Sequence, residues 1–307
     1  MSHSKSWFVI INPTSGNGSS KKQWPKIELL LKAHSFEFEF MFTTFPKHSI
    51  ELVHDVVNQG FKNIISVGGD GTLHNIVNGI MTQKIINPTS ISVGVIPIGT
   101  GNDWVKTHGI PRNIEKAIQI IKKGKIATQD LGKIKFLNQS KPTIYFNNLA
   151  GMGFDGYVVS KVGKYKHFGA MAYLVGTIAG LFSFKNFSAE VYLNSKKIST
   201  KSLMVLVGLC KYSGGGMQLT KSPNPFDGQF DISLAGNLTT WDILKNTFKL
   251  FNGSIVNFNK VQTFTTNEIT IKVIDDTKPF IQTDGELIGH GDISISVVPN
   301  TFSFFCK

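Results

Sequence analysis

Apolar runs and helical-period segments alternate along roughly the first 130 residues. Trp7–Asn12 predicts a strand, followed by the loop Pro13-Thr14-Ser15-Gly16-Asn17-Gly18 and a helix over Ser20–His34 with Ile27, Leu30 and Leu31 in register. Phe36–Thr43 predicts a second strand. Leu52, Val53, Val56 and Val57 then recur at helical spacing inside Ile50–Gln59. Asn63–Val67 and Ser90–Ile98 predict the third and fourth strands, and Leu73–Met81 and Ile114–Lys123 the helices that follow each. Strands that alternate with helices imply parallel pairing in a layered α/β domain. Ligands of such sheets sit beyond the carboxyl ends of the strands.

After Asp130 the texture changes. Short strand-like pieces dominate, at Ile144–Asn147, Ala189–Leu193, Leu203–Gly208, Phe230–Ala235, Ile269–Val273 and Ile293–Val298. Turn residues such as Pro223-Asn224-Pro225 and Asp227-Gly228 separate several of them. A mainly antiparallel β domain is expected over 131–307, carrying helices at Gly169–Phe182 and Thr240–Phe251, after an α/β domain over 1–130. The last strand is expected to pack back on the first domain, and an active site to lie in the cleft between the two.

Three loops of the first domain share one chemistry. In Ser66-Val67-Gly68-Gly69-Asp70-Gly71-Thr72 an apolar strand breaks into glycines just before a helix, a layout that lets backbone N–H groups and the helix dipole meet a phosphate. Asp70 would repel a bare anion, so its presence implies a divalent cation or a hydroxyl as well. Asn12–Gly18 and Pro97-Ile98-Gly99-Thr100-Gly101-Asn102-Asp103 again combine glycine freedom with hydroxyls and amides, although a plain turn would look similar at the first. His74, beside the Asp70 loop, reads as a helix-surface residue. In the second domain Gln282-Thr283-Asp284-Gly285-Glu286 brackets a glycine turn with two carboxylates. It reads either as a proton-accepting site or as an ordinary Asp-Gly hairpin. Asn224-Pro225-Phe226-Asp227-Gly228-Gln229 could wrap carbonyls and one carboxylate around a hard cation, with a loop turn the simpler reading.

Composition narrows the partners. Hydrophobic residues make up 41% and charged residues 17%, which describes a folded globular chain. A net charge of +12 favours an anionic partner, such as a nucleotide or an acidic membrane surface. No RNA-binding signature accompanies the scattered lysines, so nucleic acid is not expected. Cys210 and Cys306 have no metal-like spacing and suit a reducing cytoplasm. The apolar run after Met1–Ser6 is too short for a signal peptide. Phe168–Phe184 carries no charge over seventeen residues between Lys166 and Lys185. It reads better as a core or surface helix than as a span, with a shallow membrane-docking role left open.

In their order along the chain, Asn12–Gly16, Gly68–Thr72, Pro97–Asp103 and Asp284-Gly285-Glu286 resemble the diacylglycerol kinase catalytic-domain family. Asn147–Asp155 and Gly214–Asp231 add to the likeness, which covers nearly the whole chain. The resemblance implies an NAD kinase/phosphofructokinase-like α/β nucleotide-binding domain followed by an antiparallel β-sandwich lipid domain. It implies ATP-binding positions at Asn12, Pro13, Thr14, Ser15, Gly16, Thr43, Gly69, Asp70, Gly71, Thr72, Leu73, His74, Asn75 and Thr100. Asp70 would stand near the phosphates and their Mg2+. Glu286, with Asp284 beside it, matches the proton acceptor. Asn224, Asp227 and Gln229 match a structural magnesium loop, although Asn224 and Gln229 stand where apolar residues are common.

The implied activity is transfer of the γ-phosphoryl group of ATP to a lipid hydroxyl, that of diacylglycerol or a related lipid, by a minimal cytoplasmic enzyme held peripherally at an anionic membrane. A kinase of a soluble acceptor, in the manner of an NAD kinase, and a non-catalytic nucleotide- or lipid-binding relative are the rivals. A homodimer is the default oligomeric expectation.

Overall fold

The computed structural model describes residues 6–165 and 184–307. The helix expected over Gly169–Phe182, and all but the last residue of the uncharged Phe168–Phe184 segment, lie outside the described residues. The chain divides into two compact units. One comprises Met1–Leu131, Gly214–Gly216 and Pro299–Lys307, the other Gly132–Ser213 and Met217–Val298.

In the first unit β1 (Trp7–Ile11), β2 (Phe38–Phe42), β3 (Asn63–Gly68) and β4 (Ser92–Pro97) pair in parallel in the order β2-β1-β3-β4. Near the end of the chain Ser303 and Phe304 pair in parallel with Ser92 and Val93 of β4. The apolar runs are unbroken because β1, β3 and β4 are buried along almost their whole length, with both faces covered. The edge strand β2 instead exposes Phe40 and Met41. α1 (Ser15–Ala33) and α5 (Ile114–Lys123) pack Trp24, Ile27, Leu31, Ile118 and Ile121 against Val9, Ile11, Ile65, Val67 and Ile96. α2 (His48–Asn58), α3 (Asp70–Thr82) and the short α4 (Asp103–Thr107) complete the unit.

β5 (Ile126–Phe136) continues past residue 131 and pairs antiparallel with β6 (Ile144–Phe146). β7 (Leu149–Gly153) and α6 (Phe154–Tyr165) follow, and after them β8 (Phe187–Leu193), β9 (Lys196–Ser202), β10 (Met204–Gly208) and β11 (Phe230–Ala235). α7 (Thr240–Asn252) precedes β12 (Val261–Thr266), β13 (Glu268–Val273), β14 (Ile281–Thr283), β15 (Glu286–Gly289) and β16 (Ile293–Phe305).

Six of these strands form an antiparallel sheet in the order β12-β11-β10-β7-β14-β15. Within the second unit β16, β13, β8 and β9 form a second antiparallel set. β8 alternates buried and half-buried residues, as a strand with one face on a core must. Phe146 of β6 stacks on Phe230 of β11 with ring centroids 5.8 Å apart, so the two layers share a core. The expected pairing of a parallel α/β layer with an antiparallel sandwich is what the chain forms. Among the described residues no helix is long and apolar enough to cross a membrane.

Candidate active site

The three glycine loops of the first unit meet at the carboxyl ends of β1, β3 and β4. Asn12, just past β1, donates through Nδ2 to Thr72 Oγ1 at 3.1 Å, and its Oδ1 accepts from the Thr14 N–H and hydroxyl. Ser15 Oγ lies 3.4 Å from the same Thr72 hydroxyl. Gly16, Asn17 and Gly18 all have left-handed backbone, so regular helix starts only after Gly18, as the expected start near Ser20 implied. Where Gly69 and Gly99 approach, a Cβ on Gly99 would come within 2.6 Å of the Gly69 Cα. Glycine at both loop positions permits that contact, and it brings the second and third loops together.

Asn102 locks the third loop. Its Oδ1 accepts from the Gly99 N–H at 3.1 Å, and its Nδ2 donates to the Gly99 carbonyl at 2.7 Å. Trp104, fully buried beside Phe302 and Phe304, anchors the next turn through an indole N–H to Gln129 Oε1 at 3.0 Å.

Asp70 stands at the start of α3, where its carboxylate accepts from the N–H groups of Asp103 and Trp104, both at 3.3 Å. Burial, reinforced by the neighbouring Asp103 carboxylate, pushes its pKa up to about 6. Asp103 in turn accepts from the Gly215 N–H at 2.8 Å. Two carboxylates this close repel each other, and a divalent cation would offset that repulsion, so the pair fits Mg2+. Among the described residues no group of three or more His, Cys, Asp or Glu gathers to hold a metal, so further ligands would come from phosphate oxygens and water.

The remaining first-unit positions sort by exposure. Thr43 follows β2, its N–H bonded to the Ile11 carbonyl at 2.8 Å. Gly71 and Asn75 are half-buried and Leu73 is buried. His74 is a correction: it is 5% exposed, not a surface residue, because α3 is covered on both sides and Asn78 fills the next turn. Arg112, which belongs to none of the sequence motifs, donates to the carbonyls of Thr100 and Gly101 and so braces the third loop. It is the only arginine of the chain, a signal that was available in the composition. Gly16, Lys26, Gly99, Thr100, Arg112 and Glu115 help line a cavity of about 530 Å3 that Asp70 does not border.

In the second unit Asp284 and Gly285 form the two-residue turn joining β14 to β15, with φ of 51° and 84°. Positive φ at both positions is the type I′ hairpin that an Asp-Gly pair favours. The Asp284 carboxylate is buried and accepts from the N–H groups of Asn147 (3.1 Å), Asn148 (2.9 Å) and Leu149 (3.1 Å). Glu286, two residues on, is exposed. Gln282 supports the turn: its Oε1 accepts from the Gly285 N–H at 2.8 Å, and its Nε2 donates to Asp155 Oδ2 at 2.9 Å. Asp155, also unassigned from sequence, is half-buried as a residue, but its carboxyl Oδ1 is buried and unpartnered, and burial of the group raises its pKa to about 6.

The Asn224–Gln229 loop turns its side chains on itself. Asn224 Oδ1 accepts from the Phe226 N–H and Asp227 Oδ1 from the Gln229 N–H.

These features define a class of protein, one chain that carries a glycine-loop α/β unit and a β sandwich with an acidic turn. Residues 6–134 match the family model of the diacylglycerol kinase catalytic domain, and residues 148–306 match that of the YegS C-terminal NAD kinase beta sandwich-like domain. The chain belongs to the diacylglycerol kinase catalytic-domain family. It is 27% identical to the Bacillus subtilis (strain 168) protein named "Putative lipid kinase YtlR", over 98% of each chain. It is also 27% identical to the diacylglycerol kinase of the same strain, over 92% of this chain and 89% of the relative. The crystal structure of a diacylglycerol kinase from Bacillus anthracis str. Sterne superposes with a TM-score of 0.74 at 23% identity, covering 99% of this chain and 97% of the other. Membership makes the chain a kinase-type phosphotransferase, a class that implies ATP as the donor.

Proposed function

We propose that this protein transfers the γ-phosphoryl group of ATP to the hydroxyl of a lipid, diacylglycerol or a close relative. The observation that carries the reading is the division of labour between its acidic turns. Asp70, paired with Asp103 among the three glycine loops, is suited to phosphate and cation, whereas Glu286 sits exposed on a hairpin held rigid from beneath. In this reading Asn12–Gly16, Thr43, Gly69–Asn75 and Thr100 hold the nucleotide, and the nearby cavity of about 530 Å3 is of a size to take its nucleoside part. Asp70 and Asp103 would hold Mg2+, which when bound neutralises phosphate charge.

Glu286 accepts the proton of the lipid hydroxyl as that oxygen bonds to the γ-phosphorus and ADP leaves. Asp284, its oxygens already committed to three N–H donors, is assigned to positioning. The lipid acceptor is supported by the printed names of the two Bacillus subtilis relatives.

The test is ATP-dependent labelling of a panel of detergent-dispersed lipids, with NAD as a soluble control acceptor. Label should enter one lipid and fall by roughly 10²–10⁴-fold in Glu286→Gln, the usual range for loss of a general base. Label in NAD alone would replace the lipid reading with a soluble one.

A further inference from the structure

α7 turns aromatic residues to solvent on the side where a surface helix ordinarily carries polar ones. Trp241 is 69% exposed, Phe248 87% and Phe251 50%. Lys245 and Lys249 are exposed on the same outward turns, while Asn246 is buried and Ile243 packs into the cluster of Phe154, Leu203 and Leu238. The helix is firmly held. Thr239 and Asp242 form a capping box at its start, and Gly253 closes its end in left-handed conformation. Gln218 bonds the Leu250 carbonyl through its N–H and the Phe251 carbonyl through its side chain, both at 2.7 Å. The aromatics are therefore displayed from a fixed scaffold.

We propose that this face of α7 is the surface by which the protein docks on an anionic lipid bilayer. An indole and two phenyl rings flanked by lysines match the interfacial zone, where rings enter the headgroup layer and lysines meet anionic lipid. Charge argues for the same occupant. Asp242, the only acidic residue of α7, is paired with Lys260 at 2.7 Å, which leaves the outward face positive within a chain of net charge +12. A second copy fits worse, since a two-fold contact through this face would set four lysines against one another. The purpose of the surface rests on the lipid-acceptor reading, but docking itself needs no ATP and is measured separately.

The full chain is sedimented with vesicles of phosphatidylcholine containing phosphatidylglycerol, and with phosphatidylcholine alone. Binding is expected only to the anionic vesicles, with release by salt. The double variants Trp241→Ser/Phe248→Ser and Lys245→Gln/Lys249→Gln should each bind at least about tenfold more weakly, the usual contribution of two surface lysines being about 30-fold. Their thermal melting should match wild type, because the altered positions are exposed. On the unaltered protein, brominated lipid should quench tryptophan emission, and Trp241→Phe should remove most of that quenching.

Variants that bind like wild type, or a Phe248→Ser chain that changes its oligomeric mass without lipid, would overturn the docking surface. If the variants still phosphorylate dispersed lipid but lose activity on vesicles, both readings hold. If wild type labels no lipid yet binding still depends on α7, the catalytic reading fails and the surface stands.

Discussion

The same dipeptide, Asp-Gly, occupies the key turn of both units and does opposite work in each. Asp70 opens a helix after a buried parallel strand. Its carboxylate is buried and a second carboxylate stands beside it, which outweighs the N–H donors of Asp103 and Trp104 at 3.3 Å and holds the group at a raised pKa of about 6. Asp284 closes a type I′ hairpin, and its carboxylate is clasped by three N–H groups at 2.9–3.1 Å. One carboxylate is under electrostatic tension that a bound cation would relieve, and the other is fully used in holding its turn. A motif read as chemistry can thus be architecture when the donors around it are already in place. Here the exposed Glu286 beside Asp284 takes the chemical role in the proposed reaction.

The largest effect should come from breaking the second turn. Asp284→Ala leaves the N–H groups of Asn147, Asn148 and Leu149 buried without an acceptor. At about 1–3 kcal/mol for each unsatisfied group, a loss of about 5 kcal/mol is expected, a large part of a domain's stability. Urea unfolding of the two proteins would measure it; a loss under about 1 kcal/mol would mean the clasp is dispensable. Asp70→Asn should behave in the reverse sense. Transfer should fall by roughly 10²–10³-fold, the size seen when one preorganised electrostatic group is removed, while stability holds or rises because repulsion from Asp103 is gone. Steady-state rates beside a melting curve separate the two, and a variant with wild-type rates would remove Asp70 from the proposed site.

How much of this contrast was legible depends on how local its causes are. β1, β3 and β4 announced themselves as unbroken apolar runs because both of their faces are buried, and the glycine loops stood out because each directly follows such a run. α3 begins at Asp70, three residues before the expected Leu73, since Asp70, Gly71 and Thr72 already take helical backbone after the extended Gly69. β9, Lys196–Ser202, has almost no apolar pattern and is a strand only because β8 pairs with it along its whole length. β5 was missed for a similar reason, as its polar Thr128, Gln129 and Asp130 interrupt the run that would have marked it. The clasp on Asp284 could not be read at all, because its donors lie more than 130 residues away in sequence. Side-chain roles that depend on such distant partners appear only when the chain is folded.

Asp155 offers the finest test of the comparison, since it underlies the second turn yet shares the raised pKa of Asp70. Its folded-state value is about 6 against an ordinary 3.8, and burial is the first cause. A carboxyl group whose pKa is raised on folding binds its proton more tightly in the native state, so its contribution is present in full below pH 3.8 and lost as pH rises through 6. That difference corresponds to at most about 3 kcal/mol between pH 4 and pH 7. Asp155→Asn cannot titrate, but its side-chain oxygen can still accept from Gln282 Nε2 and keep the support beneath Gly285. Stability measured by urea unfolding from pH 4 to pH 7.5 should therefore decline less steeply in the variant. Asp70 continues to titrate over the same range, so part of the slope should remain. An unchanged slope would place the pH dependence elsewhere. A flattened slope with transfer reduced above about pH 6 but not below it would mean that the charge on Asp155, and not merely its acceptor oxygen, sets the Gln282 amide that holds the hairpin of Glu286.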